Sequence, residues 1–415
     1  MLPNGRQQTI NKMTKAEIID AAFKVWGRKL YRNTSLNDLA RELKVSKQAL
    51  YRHFKDKQAL INSMTGYFLD DFAGFIRPGF EQAQKGDSGS RIIIIIRAFI
   101  EYFARNVYAL AFSLINIMGQ KRGASVLEQL EERGVDMKTV YRILKREYAA
   151  KPAVMQLIFS TLVFFMAHFH KTMESFSKTP SEPQIKKIIT EIDEVITCGL
   201  RLKRAEITAL DFAALERHID IGTIEDNPLL KAVALAVAEA GPWHASMDMV
   251  ARHSGLSKSS LYGHFKNKKD MLRQLFLTEF DRILAFSTQG IKQSSVSLEQ
   301  LYLGIFSIAA YLRSRPEILV AMDWIRTRKL DLGPPGKKPV YKRLFEGIEI
   351  ELQQIGDDSS ADERRQLMYH WILFLVISTL MRREREESLG KISNEDIRIL
   401  FRFIALGLNG FKQNE

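Results

Sequence analysis

Cysteine occurs once in 415 residues, at Cys198. An intramolecular disulfide is impossible, and metal sites built on several thiolates are excluded. The apolar helical setting of Cys198 predicts a buried, inert thiol. Catalytic signatures are missing too. The chain has no phosphate-cradling Gly loop, no Gly-x-Ser-x-Gly elbow and no His-Glu-x-x-His pair, and its eight histidines are scattered. The expectation is a protein that is not an enzyme and holds no cofactor or metal. Long apolar runs are scarce. The stretch 153–169 is interrupted by Gln156, Ser160, Thr161 and His168, short of the roughly 20 apolar residues that a bilayer needs. The start, 1–11, is polar and lacks the apolar core of a signal peptide. These absences predict a cytoplasmic protein with no membrane partner.

Strand signals are weak and Gly-rich hairpin dipeptides are lacking, so the fold class expected is all-α. The isoleucine run 92–96 is ambiguous, because β-branched residues favour strands. It continues without a break into 98–104 and reads as part of one long buried helix over 91–119. Hydrophobic content is 46% and charged content 26%, as in a globular protein with real cores. Net charge is +13, a surplus that favours nucleic acid or an anionic surface as partner.

A short pattern occurs twice, 211 positions apart and without a gap. Val45-Ser46-Lys47-Gln48-Ala49-Leu50-Tyr51-Arg52-His53-Phe54-Lys55-Asp56-Lys57 recurs as Leu256-Ser257-Lys258-Ser259-Ser260-Leu261-Tyr262-Gly263-His264-Phe265-Lys266-Asn267-Lys268. The copies keep Ser, Lys, Leu, Tyr, His, Phe, Lys and Lys. Each has the form of a short, basic helix that enters a DNA groove. Its first residues sit where a helix offers free N–H groups and partial positive charge. Lys47, Gln48 and Arg52 are the candidate base readers of the first copy, since Gln pairs bidentately with adenine and Arg or Lys with guanine. Their counterparts Lys258, Ser259 and Gly263 are plainer. Tyr51, Tyr262, Lys57 and Lys268 suit phosphate contacts. Phe54 and Phe265 read as packing residues, and His53 and His264 as mixing packing with a backbone or phosphate contact.

Helices are expected at 14–28, 35–43, 47–53 and 57–76, the last stopped by Pro78-Gly79. Further ones are expected at 123–132, 137–149, 153–175 and 183–201. The second half repeats this order at 228–240, 247–254, 258–264, 268–287, 297–313, 316–329, 339–354, 362–386 and 394–409. The segment 203–227 connects the halves, with Leu210, Phe212, Ala214 and Leu215 predicting a helical, docked part. Residues 1–60 carry 13 Lys/Arg against 5 Asp/Glu, whereas 226–275 carry 7 against 4. The first copy is therefore expected to supply more of the salt-sensitive affinity.

Both segments resemble the DNA-binding domain of the TetR family of one-component transcriptional regulators. The resemblance rests on Thr34-Ser35, Ala40, Ser46-Lys47 and Tyr51 to Lys57 in the first copy. In the second it rests on Gly241, Ser246, Ala251, Ser257-Lys258 and Tyr262 to Lys268. Departures are Leu30, where the family favours Gly, and Pro242-Trp243 in the same turn. The resemblance implies two tandem units, each a three-helix helix-turn-helix head followed by a helical ligand and dimerisation domain. The boundaries are 11–71 and 72–203, a connector at 204–226, then 227–282 and 283–415. It implies double-stranded DNA and a small-molecule effector as partners. The DNA-binding residues expected are Ser35, Ser46, Lys47, Gln48, Ala49, Tyr51, Arg52, His53 and Lys57, with Ser246, Ser257, Lys258, Ser259, Ser260, Tyr262, His264 and Lys268.

Family members usually hold one unit and pair as homodimers through their last two helices. Mapped here, 153–175 and 183–201 would face 362–386 and 394–409, making one chain an intramolecular pseudo-dimer; a homodimer with four heads is the rival. The expected function is a ligand-responsive repressor acting on an imperfect palindrome. The alternative is a regulator in which only the first head reads DNA and the second serves protein interaction. A ligand cavity is expected among Tyr67, Phe68, Phe72, Phe99, Tyr102, Phe103 and Met118, or among Phe276, Phe280, Phe306, Tyr311, Met322 and Trp324. Plain core is the competing role for those rings.

Overall fold

The computed structural model describes residues 14–28, 35–87, 90–113, 126–149, 152–176, 180–223, 227–328, 361–385 and 392–412. Every regular element among them is helical. The chain divides into two compact units: Met1–Ala149 with Leu162–Asp193, and Ala150–Thr161 with Glu194–Glu415. The expected helix at 339–354, Met118, Leu30 and the polar start before Thr14 lie outside the described residues.

The first unit opens with α1 (Lys15–Arg28), α2 (Leu36–Leu43) and α3 (Lys47–His53). Thr14 and Glu17 form a reciprocal capping pair at the start of α1, with Thr14 N donating to Glu17 Oε2 at 2.7 Å and Glu17 N to Thr14 Oγ1 at 3.2 Å. The apolar face of α1 (Ile18, Ile19, Ala22, Phe23, Val25) closes over Leu36, Leu39 and Ala40, all buried.

Next come α4 (Lys57–Lys85), α5 (Arg91–Arg105), α6 (Val107–Phe112), α7 (Val126–Glu131) and α8 (Met137–Tyr148). Two sequence expectations fail here. Pro78-Gly79 does not stop α4, which is 29 residues long in all and has Pro78 inside it. Residues on both sides of Pro78, including Phe72, Ile76, Phe80 and Ala83, are buried. That packing outweighs the one hydrogen bond a proline removes. Gly79 permits the close approach, because a Cβ there would lie 2.9 Å from Ala98 Cβ on α5. Conversely, the helix expected over 91–119 breaks at Asn106 (φ −115°, ψ 63°), whose side chain donates to Tyr102 O at 3.0 Å. The isoleucine run lies within α5.

The rings Phe68, Phe72, Phe99, Tyr102 and Phe103 pack on one another at centroid separations of 4.8–6.4 Å. Tyr102 donates its hydroxyl to Asp71 Oδ2 at 2.9 Å, and burial pushes its pKa far above the usual value.

Two helices contribute to both units: α9 (Pro152–Phe176) and α10 (Glu182–Cys198). The first-unit part of α10 carries Asp193, which accepts from Arg97 Nε. Burial raises the Asp193 carboxyl despite that partner.

The second unit contains α11 (Arg204–Ala209), α12 (Phe212–Arg217), α13 (Pro228–His244), α14 (Met247–Ser254), α15 (Lys258–His264), α16 (Lys268–Ile291), α17 (Ser297–Ser314), α18 (Pro316–Arg328), α19 (Ala361–Arg385) and α20 (Asn394–Leu406). Gly241, at φ 75° and ψ 161°, breaks α13 just before Pro242. The connector segment is helical and docked. Phe212 stacks edgewise on Tyr302 and Phe401, and Glu216 accepts from Tyr302 Oη (2.6 Å), Asn394 Nδ2 (2.8 Å) and Arg398 Nε (2.7 Å).

Within this unit the first residues of α9 meet α19. Ser160 and Ser378 share a hydrogen bond of 2.6 Å, Gln156 Nε2 donates to Ser378 O at 2.7 Å, and buried Trp371 donates to Thr161 Oγ1 at 3.1 Å. Polar groups that interrupt the apolar run of α9 thus find partners in the fold. Pro152–Phe169, at mean hydropathy 1.6, is long and apolar enough to cross a membrane by length and composition, and 44% of it is buried. Cys198, expected to be buried, is half-buried, and Asn409 Nδ2 donates to its sulfur at 3.5 Å.

Candidate nucleic-acid interface

The two repeated segments fold alike from the same local devices. Ser46 caps α3 by accepting from Ala49 N at 3.1 Å, and Ser257 caps α15 by accepting from Ser260 N at 3.1 Å. Each helix buries one leucine, Leu50 or Leu261, and ends on a buried phenylalanine in extended conformation, Phe54 or Phe265. One anchored turn with a buried cap leaves the other side chains facing outward. Lys47, Gln48, Tyr51, Arg52, His53 and Lys57 are exposed, as are Lys258, Ser259, Ser260, Tyr262 and His264. Ala49 and Lys268 are half-buried.

Tyr51 is 44% exposed and Tyr262 53%. A large ring so open contributes little to the core, so packing alone does not explain its recurrence. His53 and His264 likewise lie on the surface, whereas Phe54 and Phe265 take the packing role.

Ser35 and Ser246 do a different job. They cap the preceding helices, α2 and α14. Ser35 forms a reciprocal box with Asp38, with Asp38 N donating to Ser35 Oγ at 3.2 Å. Ser246 accepts from Met249 N at 3.3 Å. Each serine satisfies a backbone N–H that the first turn of its helix would otherwise leave unpaired.

The turn between the second and third helices is left-handed in both heads. Lys44 has φ 53° and Gly255 has φ 71°. Capping residues at the far side restart the chain: Asp56 accepts from Ala59 N at 2.8 Å, and Asn267 from Asp270 N at 3.0 Å.

Electrostatics separate the two copies. In the first head Lys47 Nζ lies 5.5 Å from the centroid of the Tyr51 ring, a cation–π contact along the same helix. In the second head Lys258 Nζ instead donates to Asp248 Oδ2 at 2.9 Å. That bond raises the Lys258 pKa. Burial lowers that of Lys268. Asp248 was not among the residues expected from sequence. Its only signal is an acidic residue at the second position of the preceding helix.

A family model described as bacterial regulatory proteins, tetR family, matches residues 18–64 and 230–275. Two relatives come from Bacillus subtilis (strain 168). An uncharacterized HTH-type transcriptional regulator, YuxN, is 43% identical over 53 residues, 13% of this chain and 18% of that protein. A fatty acid metabolism regulator protein is 24% identical over 178 residues, 41% of this chain and 91% of that protein. The chain thus spans under a fifth of the first relative's length and most of the second's. Both matched regions of the family model fall on the three-helix heads and the start of the following helix, so the chain carries two tandem heads similar to the N-terminal domain of the tetR family of bacterial regulatory proteins.

Proposed function

We propose that this chain is a cytoplasmic, sequence-specific DNA-binding transcriptional regulator. Its two heads read unlike half-sites of one imperfect palindrome, and it represses until a small-molecule effector binds. The observation that carries the reading is the recurrence in both heads of one exposed set: Lys, Tyr and His around a single buried leucine. The heads span 11–71 and 227–282, the effector and dimerisation domains 72–203 and 283–415, and 204–226 joins them. Half-sites one DNA turn apart, about 34–36 Å, suit a twofold reader.

Intramolecular pairing is supported by hydrogen bonds inside the second compact unit. Ser160 and Thr161, from the first half of the sequence, meet Ser378 and Trp371 from the second. Leu200 N and Leu202 N donate to Ile404 O and Ala405 O at 2.8 and 3.1 Å. Effector and DNA oppose each other by linkage if the effector favours a different head spacing.

Selection of bound duplexes from a random pool tests the reading. Two half-sites of unlike sequence at one-turn spacing are expected, and absence of any sequence preference rejects it. Light scattering separates one chain from two: a mass of twice 47.6 kDa rejects the monomeric pseudo-dimer. A second reading, in which only the first head reads DNA, is favoured by one feature. Where the first head has Arg52, the second has Gly263. A selected site with a single conserved half would support it.

A further inference from the structure

We propose that Asp248 is a specificity-determining residue of the second head: by holding Lys258 it makes that head the weaker phosphate binder of the two. The proposal rests on the DNA-binding reading above and extends it to a residue that carries none of the repeated pattern.

The geometry is local to one helix-turn-helix. Asp248 is the second residue of α14 and Lys258 the first of α15. Their side chains meet across the turn at 2.9 Å, with 66% and 51% of their surfaces exposed. At the same register in the first head stand Asn37 on α2 and Lys47 on α3. Asn37 is exposed and uncharged, and Lys47 folds back over its own helix onto the Tyr51 ring. One residue type thus changes the partner of the first reading-helix lysine from a neutral ring to an anion.

The consequence follows from how cations bind a duplex. A lysine that neutralises a phosphate releases a condensed counterion, and log affinity then falls with log salt by about 0.9 per contact. Lys258 already has a counter-anion. To reach a phosphate it must exchange one anion for another, and the freed carboxylate is left beside the backbone it repels. The head therefore loses most of one counterion's worth of affinity. An exposed ion pair is itself weak, so Asp248 does little for the stability of the head. Its effect appears when a polyanion competes for the same ammonium.

The two heads then differ in both respects that set DNA affinity. The first offers a surplus of eight positive charges over 1–60, against three over 226–275, and its leading lysine lies over a neutral ring. The second is left to discriminate by shape and by its smaller side chains Ser259 and Ser260, with less of the sequence-independent attraction that would blur the choice. A regulator built this way lands on its first head and completes recognition with its second.

The test uses the full chain and a fluorescein-labelled duplex of random sequence, with anisotropy followed from about 50 to 200 mM KCl. Asp248→Asn should bind more tightly and steepen the salt slope by up to about 0.9, worth roughly 3.5-fold across that range. Asn37→Asp should do the reverse, and Asp248→Glu should behave as the parent, which covers the case of a poorly folded amide variant. In a Lys258→Met background the gain from Asp248→Asn should shrink. If the parent binds but Asp248→Asn changes neither affinity nor slope, the proposal is overturned. An undiminished gain in the Lys258→Met background also overturns it, since Asp248 would then act without its lysine. A parent chain that binds no duplex at any salt instead removes the DNA-binding reading itself, a result distinguishable from both.

Discussion

Gly199 and Gly407 occupy each other's side-chain space. Both hold a left-handed backbone, at φ 57° and 58°. A Cβ on Gly199 would lie 2.7 Å from Gly407 N and 2.4 Å from Ile404 O, and one on Gly407 would lie 2.5 Å from Ile196 O. The ends of α10 and α20 are thus joined backbone to backbone, and Leu200 N donates to Ile404 O at 2.8 Å. Every obstructing atom is main chain, which cannot swing aside. Alanine at either position should cost about 2–5 kcal/mol, from overpacking and from a conformation that L-residues avoid. Urea denaturation checks this, with Gly66→Ala as the opposite control. Gly66 lies inside α4 with nothing within 4 Å of its absent Cβ, so alanine there should stabilise by about 0.5–1 kcal/mol.

Glu216 ties the connector to α17 and α20, and its titration should be visible in acid. Burial pushes its carboxyl up, but Arg398, Tyr302 and Asn394 together outweigh burial and hold it below the usual carboxylate range. A depressed folded pKa gives stability that is complete above the unfolded value and lost as pH falls through the folded one. The full chain should therefore lose stability on acidification below about pH 4.5. Glu216→Gln should remove about 1–3 kcal/mol at neutral pH and flatten the acid limb. Thermal midpoints of the two proteins between neutral pH and pH ~3 measure both effects. Parallel curves would exclude a role for this carboxylate.

The turn of the first head carries a strain that the second avoids. Lys44 sits at φ 53° where its counterpart is Gly255 at φ 71°. Lys44→Gly should be neutral or stabilising by up to about 1 kcal/mol, the left-handed penalty being offset in part by the entropy of glycine. Gly255→Lys should destabilise by about 1 kcal/mol without any clash, since nothing lies within 4 Å of its Cβ position. Equal and opposite shifts in melting temperature are not required; the signs are.

Gly263 offers an open place for the arginine that the first head already has. Nothing lies within 4 Å of its Cβ position, so Gly263→Arg should fold normally and gain helix propensity of about 0.5–1 kcal/mol. Its binding to a selected duplex should tighten and gain salt dependence. Arg52→Ala should weaken binding and reduce the slope by about 0.9 if Arg52 meets a phosphate, or relax preference at one base pair if it meets a base. Competition gel shifts with single-position operator variants separate those outcomes.

Much of the fold can be read from near neighbours in the chain. Ser35, Ser46, Ser246 and Ser257 each satisfy a backbone N–H three residues on. Leu50 and Leu261 stand where helical period puts an inward face. Such signals act over one turn, so they mark the two heads and their reading helices without knowledge of the rest. Pro78 shows their limit. Local rules end the helix there, whereas contacts along α5 carry it to Lys85.

The amino-acid order alone thus settled a helical protein with two copies of one basic, capped recognition unit, because capping and periodicity are interactions among residues three or four apart. Tertiary structure alone decided which charges far apart in the chain meet. Asp248 lies ten residues from Lys258, and Glu216 lies 86 and 182 residues from Tyr302 and Arg398. Pairings of that kind depend on how helices are brought together in space, and no local pattern encodes them.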